Sequence, residues 1–251
     1  MAFSTTYTFG FATVVCVVCS TALAGLSLGL KDIQEANVRR DRFKNILVAL
    51  DLPEKVNGER PSVSGETIDK LWTEKVDVIA VSPTDGSKLP LDKCDLNEDG
   101  VFNFDDMKLA KEAVKGTDKP PAVLGLYIRK DTGTVAIPMF GKGLWGPISG
   151  YVAFDPKITE VQGTSFFAPK ETPGLGAKII EDEFEGSFLK KTIVEAGKTT
   201  PIRVKKSAEC AEKIDPHCVD GISGATLTSR GVDAMFASYI AYYEPYIKTV
   251  R

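Results

Sequence analysis

The chain has 251 residues, a formal net charge of −3, and 43% hydrophobic against 26% charged side chains, which fits one or two globular domains and excludes a disordered chain or a miniature disulfide scaffold. No Asp, Glu, Lys or Arg precedes Lys31, so all 31 basic and 34 acidic side chains lie beyond Leu30. That remainder is mildly acidic and carries no concentrated basic stripe, so nucleic acid is excluded as the expected partner.

After a tail of residues 1–8, residues 9–30 are apolar or small (FGFATVVCVVCSTALAGLSLGL). At ~1.5 Å per residue, a helix of this length crosses a hydrocarbon core of about 30 Å, and one transmembrane helix is predicted. Ala22-Leu23-Ala24-Gly25 resembles a signal-peptide cleavage site, but the preceding tail lacks Lys and Arg and the apolar run continues beyond it. Lys31, Arg39, Arg40, Arg42 and Lys44 follow the span. Positive-inside counting would keep that side cytoplasmic, a rule that is weakest for long translocated domains. Cys16 and Cys19 sit one turn apart without Asp, Glu or His to complete a metal shell, and are read as small hydrophobes.

Residues 31–74 read as a juxtamembrane helical region. Ile33, Val38, Phe43, Ile46, Leu47 and Leu50 recur among charges until Pro53 stops the helix, and Asn57-Gly58 marks a turn. A short helix over 66–75 and a strand over 76–81 follow. Residues 95–106 then read DLNEDGVFNFDD, which puts oxygen ligands Asp95, Asn97, Asp99, Asn103 and Asp106 at loop positions 1, 3, 5, 9 and 12, with the Val101 carbonyl at position 7. Gly100 stands where the turn needs a positive φ, and the loop with its apolar continuation resembles half of a dockerin-like or EF-hand calcium repeat. Asp rather than Glu at the last position departs from the EF-hand pattern, and an acidic turn capping a helix is the alternative. A single copy suits a loop staple better than a sensor.

Residues 122–130 and 134–138 flank Asp131-Thr132-Gly133 as a hairpin, and 144–154 and 158–167 are further strand-like runs. A Gly-rich turn at 172–176, a helix near 178–190 and a strand over 201–205 come next. A final helix starts near Ala225, with Val232, Phe236, Tyr239 and Tyr243 on one face and Pro245 near its end. Mostly antiparallel strands between helices define an α+β class with a single N-terminal membrane helix.

The chemistry gathers in Asp220-Gly221-Ile222-Ser223-Gly224-Ala225-Thr226-Leu227-Thr228-Ser229, which opens the last helix. A Ser/Thr/Gly-rich helix N-terminus offers backbone N–H groups, hydroxyls and a favourable dipole to an anion such as phosphate, and Arg230 can add a charge-assisted bond. Alone, the segment reads as an N-cap by Ser223 or Thr226.

Together with Gly143-Leu144-Trp145-Gly146-Pro147 and Glu171-Thr172-Pro173-Gly174-Leu175-Gly176, the segment resembles the FMN-binding domain of the NqrC family, the covalent-flavin subunits of sodium-translocating NADH:quinone reductases. The resemblance runs from the membrane helix through Arg42-Phe43-Lys44-Asn45-Ile46-Leu47 to Glu244-Pro245-Tyr246-Ile247-Lys248. It leaves 75–121, calcium-type loop included, as a family-atypical segment ahead of an FMN-binding domain over 122–251. It implies FMN esterified through its phosphate to Thr226, transferred from FAD by a separate flavin transferase for which Asp220 is part of the signal. It also implies a flavin pocket drawing on Ser223, Gly224, Ala225, Leu227, Thr228 and Ser229, on Thr172, Gly174, Leu175 and Gly176, and on Leu144 and Trp145, the last equally readable as a core aromatic. No side chain is then expected to be catalytic, since the flavin carries the electrons. The implied setting is the inner membrane with the soluble domain periplasmic, relaying electrons between other membrane subunits on the way from NADH to ubiquinone.

In that compartment Cys210 and Cys218 can pair, with Cys94 a third candidate, and His217 is read as a surface residue. Two rivals stand beside this reading. One is the flavin-bearing subunit of the related ion-pumping ferredoxin:NAD oxidoreductases, which shares the anchor and attachment segment. The other is a membrane-tethered, calcium-dependent interaction module without flavin.

Overall fold

The computed structural model describes residues 4–55, 60–94, 102, 120–206, 210 and 215–251. It divides into two compact units, Met1–Arg42 and Phe43–Arg251. The first holds most of helix α1 (Thr5–Ala49), whose apolar side chains from Tyr7 to Val38 are exposed throughout. It is long and apolar enough to cross a membrane. Hydroxyls in such a helix need local acceptors, and Thr13 and Thr21 donate to the carbonyls of Phe9 and Val17 at 2.9 and 2.8 Å.

The second unit is built on six antiparallel strands, ordered β2-β1-β3-β4-β5-β6: β1 (Val76–Val81), β2 (Lys88–Leu89), β3 (Leu124–Arg129), β4 (Val135–Lys142), β5 (Pro147–Phe154) and β6 (Val161–Phe167). Helix α2 (Gly65–Lys75) starts where Ser64 Oγ accepts from Thr67 N–H, and it feeds directly into β1. The two-residue periodicity of the strands divides their side chains between two cores. Val135, Ile137 and Met139 face the C-terminal helix α4 (Thr226–Val250), while Tyr127, Ala136 and Ala153 face the end of α1 and α2, where Phe43 stacks on Trp72 at 4.2 Å. Helices thus cover both faces of one sheet. On α4, Val232, Phe236, Ile240, Tyr243 and Ile247 are fully buried, each worth about 1.5–3 kcal/mol over exposure. Tyr243 Oη donates to the Gly125 carbonyl on β3.

Several expectations need correction. Pro245 does not end α4, which continues to Val250. The run from residue 144 becomes strand only at Pro147, because Gly143 N–H closes a turn onto the Gly146 carbonyl. Residues 178–190 form a 3-10 turn (Gly176–Ile180) and a one-turn helix α3 (Asp182–Gly186) instead of one helix. Their buried anchors Ile179, Phe184 and Phe188 are spaced five and then four residues apart and do not share one face of a continuous helix. Strand β1, assigned to the family-atypical segment 75–121, pairs with β3 along its whole length and belongs to the same sheet. The calcium-type ligands Asp95, Asn97, Asp99, Val101, Asn103 and Asp106 lie outside the described residues. Phe102, between them in sequence, is buried edge-on to Tyr127 with ring centroids 6.3 Å apart.

Three further short strand pieces complete the unit: the hairpin β7 (Val194–Glu195) with β8 (Lys198–Thr199), and β9 (Arg203–Lys205), which pairs in parallel with β10 (Cys218–Asp220). The β6 edge of the large sheet is engaged. Val161 N–H donates to the Lys191 carbonyl, and Phe166 N–H donates to Glu185 Oε1 at 2.6 Å. Burial pushes the Glu185 carboxyl from its ordinary 4.5 up to about 7, against the Phe166 N–H and the charges of Lys55 and Arg60, with Asp182 adding to the rise.

The fold therefore favours protonated Glu185. Below pH 4.5 the group is neutral in both states; between 4.5 and about 7 the unfolded chain loses its proton first, so stability falls, by about 3 kcal/mol at most, and then levels off. Glu185→Gln, which keeps an acceptor for Phe166, is expected to flatten this decline. Thermal melts at pH 5 and pH 8 check it, and an undiminished slope in the variant refutes it.

Candidate functional site

Helix α4 begins without a side-chain cap. Ala225 occupies the N-cap position, so neither Ser223 nor Thr226 plays the capping role the sequence alone allowed them. Ser229, buried one turn in, serves instead, accepting from Ile222 N–H at 2.9 Å and donating to the Ala225 carbonyl at 3.0 Å. Gly224 makes the preceding turn with φ +80, a conformation that disfavours other residues. Thr226 is consequently the first helical residue, exposed, and its hydroxyl makes no hydrogen bond to any described residue.

That hydroxyl opens on a cavity of about 490 Å³ whose lining includes Ser223, Gly224, Ser229 and Arg230 of the attachment segment and Arg203, Lys205 and Lys206 of β9 and its end. Its one acid, Asp233, takes a bidentate pair from Arg203 at 2.8 and 2.8 Å and also accepts Val204 N–H. Burial alone would raise the Asp233 carboxyl, but these donors outweigh it and hold it below the usual carboxylate range. Arg203 is thereby neutralised, whereas Lys205, Lys206 and Arg230 make no ion pair among the described residues. Helix N-terminus, spare cations and a free hydroxyl together suit a phosphate, and the volume suits a nucleotide-sized group.

A second cluster adjoins the first. The turn 172–176 brings Leu175 beside Gly224, where a Cβ would lie 3.2 Å from Leu175 Cδ2. Beneath the turn, Glu171 is buried, accepting Trp145 N–H at 2.8 Å and Thr228 Oγ1–H at 2.6 Å. A Cβ on Gly143 or Gly176 would lie 2.4 or 2.1 Å from its carboxylate oxygens, so both positions need glycine. Glu171 thus joins all three motifs that the sequence singled out, and as a lone acid in a turn it gave no signal of doing so.

Of the predicted site residues, Ser223, Gly224, Thr226 and Ser229 line the cavity, and Thr228 belongs to the Glu171 cluster. Leu144, Trp145, Thr172, Gly174, Leu175 and Leu227 lie on the surface; Trp145, 66% exposed, is no core aromatic and does not line the cavity. Ala225 is buried behind it, and Asp220 is exposed at the end of β10. The basic contribution of Arg203, Lys205 and Lys206 went unread because β9 reaches the motif only through its parallel pairing with β10. Cys210 bonds to Cys218 at the start of β10, while Cys94 is free. His217 Nδ1 lies 2.8 Å from the Thr192 carbonyl, a loop contact outside the site.

A helix-opening hydroxyl on a basic cavity, carried on an α+β unit behind an apolar helix, defines the class of flavin-phosphate-binding domains. Residues 143–241 match the family described as the FMN-binding domain, which covers both clusters. The NqrC subunit of the Na(+)-translocating NADH-quinone reductase of Haemophilus ducreyi is 32% identical over 88% of this chain and 83% of its own length. Its counterpart in Yersinia pestis is 29% identical over 95% and 90%. The crystal structure of the counterpart from Parabacteroides distasonis superposes with a TM-score of 0.68 at 26% identity, over 87% of this chain and 96% of its own. The chain belongs to the NqrC family of Na(+)-translocating NADH-quinone reductase subunits.

Proposed function

We infer that this chain is the membrane-anchored, FMN-carrying subunit of a sodium-translocating NADH:quinone reductase, with FMN esterified through its phosphate to Thr226. The observation that carries the reading is the Thr226 hydroxyl: exposed, unbonded, on the first turn of a helix, and facing a cavity with three spare cations. In maturation Thr226 Oγ takes the FMN phosphoryl group of FAD. One O–P bond forms, the pyrophosphate P–O bond breaks, and AMP leaves with the hydroxyl proton, with a flavin transferase as catalyst. Lys205, Lys206 and Arg230 offset the phosphodiester charge, and Gly224 leaves room for the ribityl chain. Once bound, FMN supplies one-electron transfer, and the protein supplies position and field.

Placement of the soluble unit on the periplasmic side of the inner membrane is supported by the Cys210–Cys218 disulfide, since such bonds persist in oxidising compartments. The same reading gives the other membrane subunits as electron donors and acceptors and assigns sodium export to the whole complex. It is tested by intact mass of the full chain coexpressed with its transferase: the mass must exceed that of the polypeptide by FMN less one water, and a bare polypeptide mass overturns it. Calcium in the 95–106 loop is a further part of the proposal, supported by the ligand spacing and by the Phe102 anchor on Tyr127. Millimolar calcium is expected to raise the melting temperature of the wild type and not of Asp95→Ala; no rise in the wild type counts against it.

A further inference from the structure

The Glu171 carboxylate is buried, and none of the ion pairs among the described residues includes it. Burying a charge without a cation is costly unless its hydrogen bonds are made, and here the Trp145 N–H and Thr228 hydroxyl fill one site on each oxygen. An amide or an apolar residue would fill the same space at lower cost, so holding the segments together does not by itself call for an acid. The carboxylate lies under the turn whose Leu175 touches the Gly224 position, and its partner Thr228 is two residues from Thr226. A fixed negative charge is therefore held close to the attachment point, in surroundings where water screens it poorly.

We propose that Glu171 is the positioning residue of the flavin site and that its charge lowers the reduction potential of the FMN borne by Thr226. This rests on the reading of Thr226 as the FMN-bearing residue. Two effects have separate origins. The paired hydrogen bonds fix the turns 143–146 and 172–176 against the first turn of α4, which shapes the space for the ring. The charge opposes the arrival of an electron on a ring nearby, because reduction adds negative charge there. Neutralising the carboxylate while keeping its bonds must then raise the potential without emptying the site.

Glu171→Gln separates the two effects: its amide oxygen can accept Trp145 N–H, and its NH2 can donate to Thr228 Oγ1, which rotates to accept. The full chain is coexpressed with its transferase, and covalent FMN is read by intact mass and absorbance, with the midpoint potential read by redox titration. The expected result is wild-type FMN content in Glu171→Gln with an upward shift in midpoint potential, and no shift in the exposed control Glu74→Gln. In Glu171→Ala, where both bonds are lost, covalent FMN is expected to fall severalfold, with the folded fraction followed by thermal melting. Wild-type and Glu171→Gln proteins that both carry FMN at the same potential overturn the inference and leave the reading of Thr226 standing. A Glu171→Gln protein that folds without FMN also overturns it. A wild-type chain that carries no FMN removes the reading of Thr226 and the inference with it.

Discussion

Replacing Thr226 by Ala is expected to give a chain that folds as the wild type does and carries no covalent flavin, a complete loss of the yellow, denaturation-resistant chromophore. The fold should tolerate the change because the hydroxyl makes no hydrogen bond to described residues, and Ala at the first helical position costs α4 nothing in propensity. A stability change within about 0.5 kcal/mol is expected, as for an exposed substitution away from caps and cores. Thr228→Ala is the informative contrast. It removes a buried bond to Glu171 and should destabilise by about 1–2 kcal/mol while leaving the acceptor hydroxyl in place. Flavin still bound through denaturation in Thr226→Ala, read by mass and fluorescence, would move the attachment site elsewhere.

The largest stability effect is expected at Arg129, far from the motif. Its buried guanidinium donates to the Leu50 and Asp51 carbonyls at 3.2 and 3.2 Å, to Glu54 at 2.6 Å, and to Asp131 at 2.6 and 3.4 Å. These carbonyls follow directly on α1, where the negative end of the helix dipole favours a cation. Arg129→Met keeps much of the shape but leaves the carbonyls short of donors, and should cost about 2–4 kcal/mol, lowering the melting temperature by roughly 5–12 °C. Glu54→Gln should cost under about 1 kcal/mol, because that carboxylate is largely in solvent. The Arg129 bond, with Lys75 helping, holds the Asp131 carboxyl down to about 2. Its contribution is therefore present above the ordinary carboxylate range and is lost as pH falls through about 2. Equal melting temperatures for wild type and Arg129→Met would dismiss the clamp.

Local chemistry made much of this fold legible. The charge-free run before Lys31, the α2–β1 junction at Lys75 and Val76, and the Asp131-Thr132-Gly133 turn all stand where hydrophobic periodicity and turn residues put them. What remained hidden depends on contacts distant in sequence. Glu171 has the sequence appearance of a surface acid, and only the meeting of residues 145, 171 and 228 buries it. The basic wall of the cavity needed the β9–β10 pairing of Arg203–Lys205 with Cys218–Asp220, a parallel contact with no local signature. Residues 178–190 misled because helix-forming composition persists where the core demands three anchors that no single helix face presents.

The engaged β6 border has a consequence for assembly. An outermost strand with free amides is an invitation for another chain to add itself in register, by swapping, augmentation or aggregation. Here the amides of Val161 and Phe166 are already occupied by a neighbouring carbonyl and a carboxylate, and the opposite border, β2, is only two residues long. Recruitment into a larger membrane machine must then proceed through side chains and turns, so that neighbours can dock and separate without competing for the hydrogen bonds that define the fold.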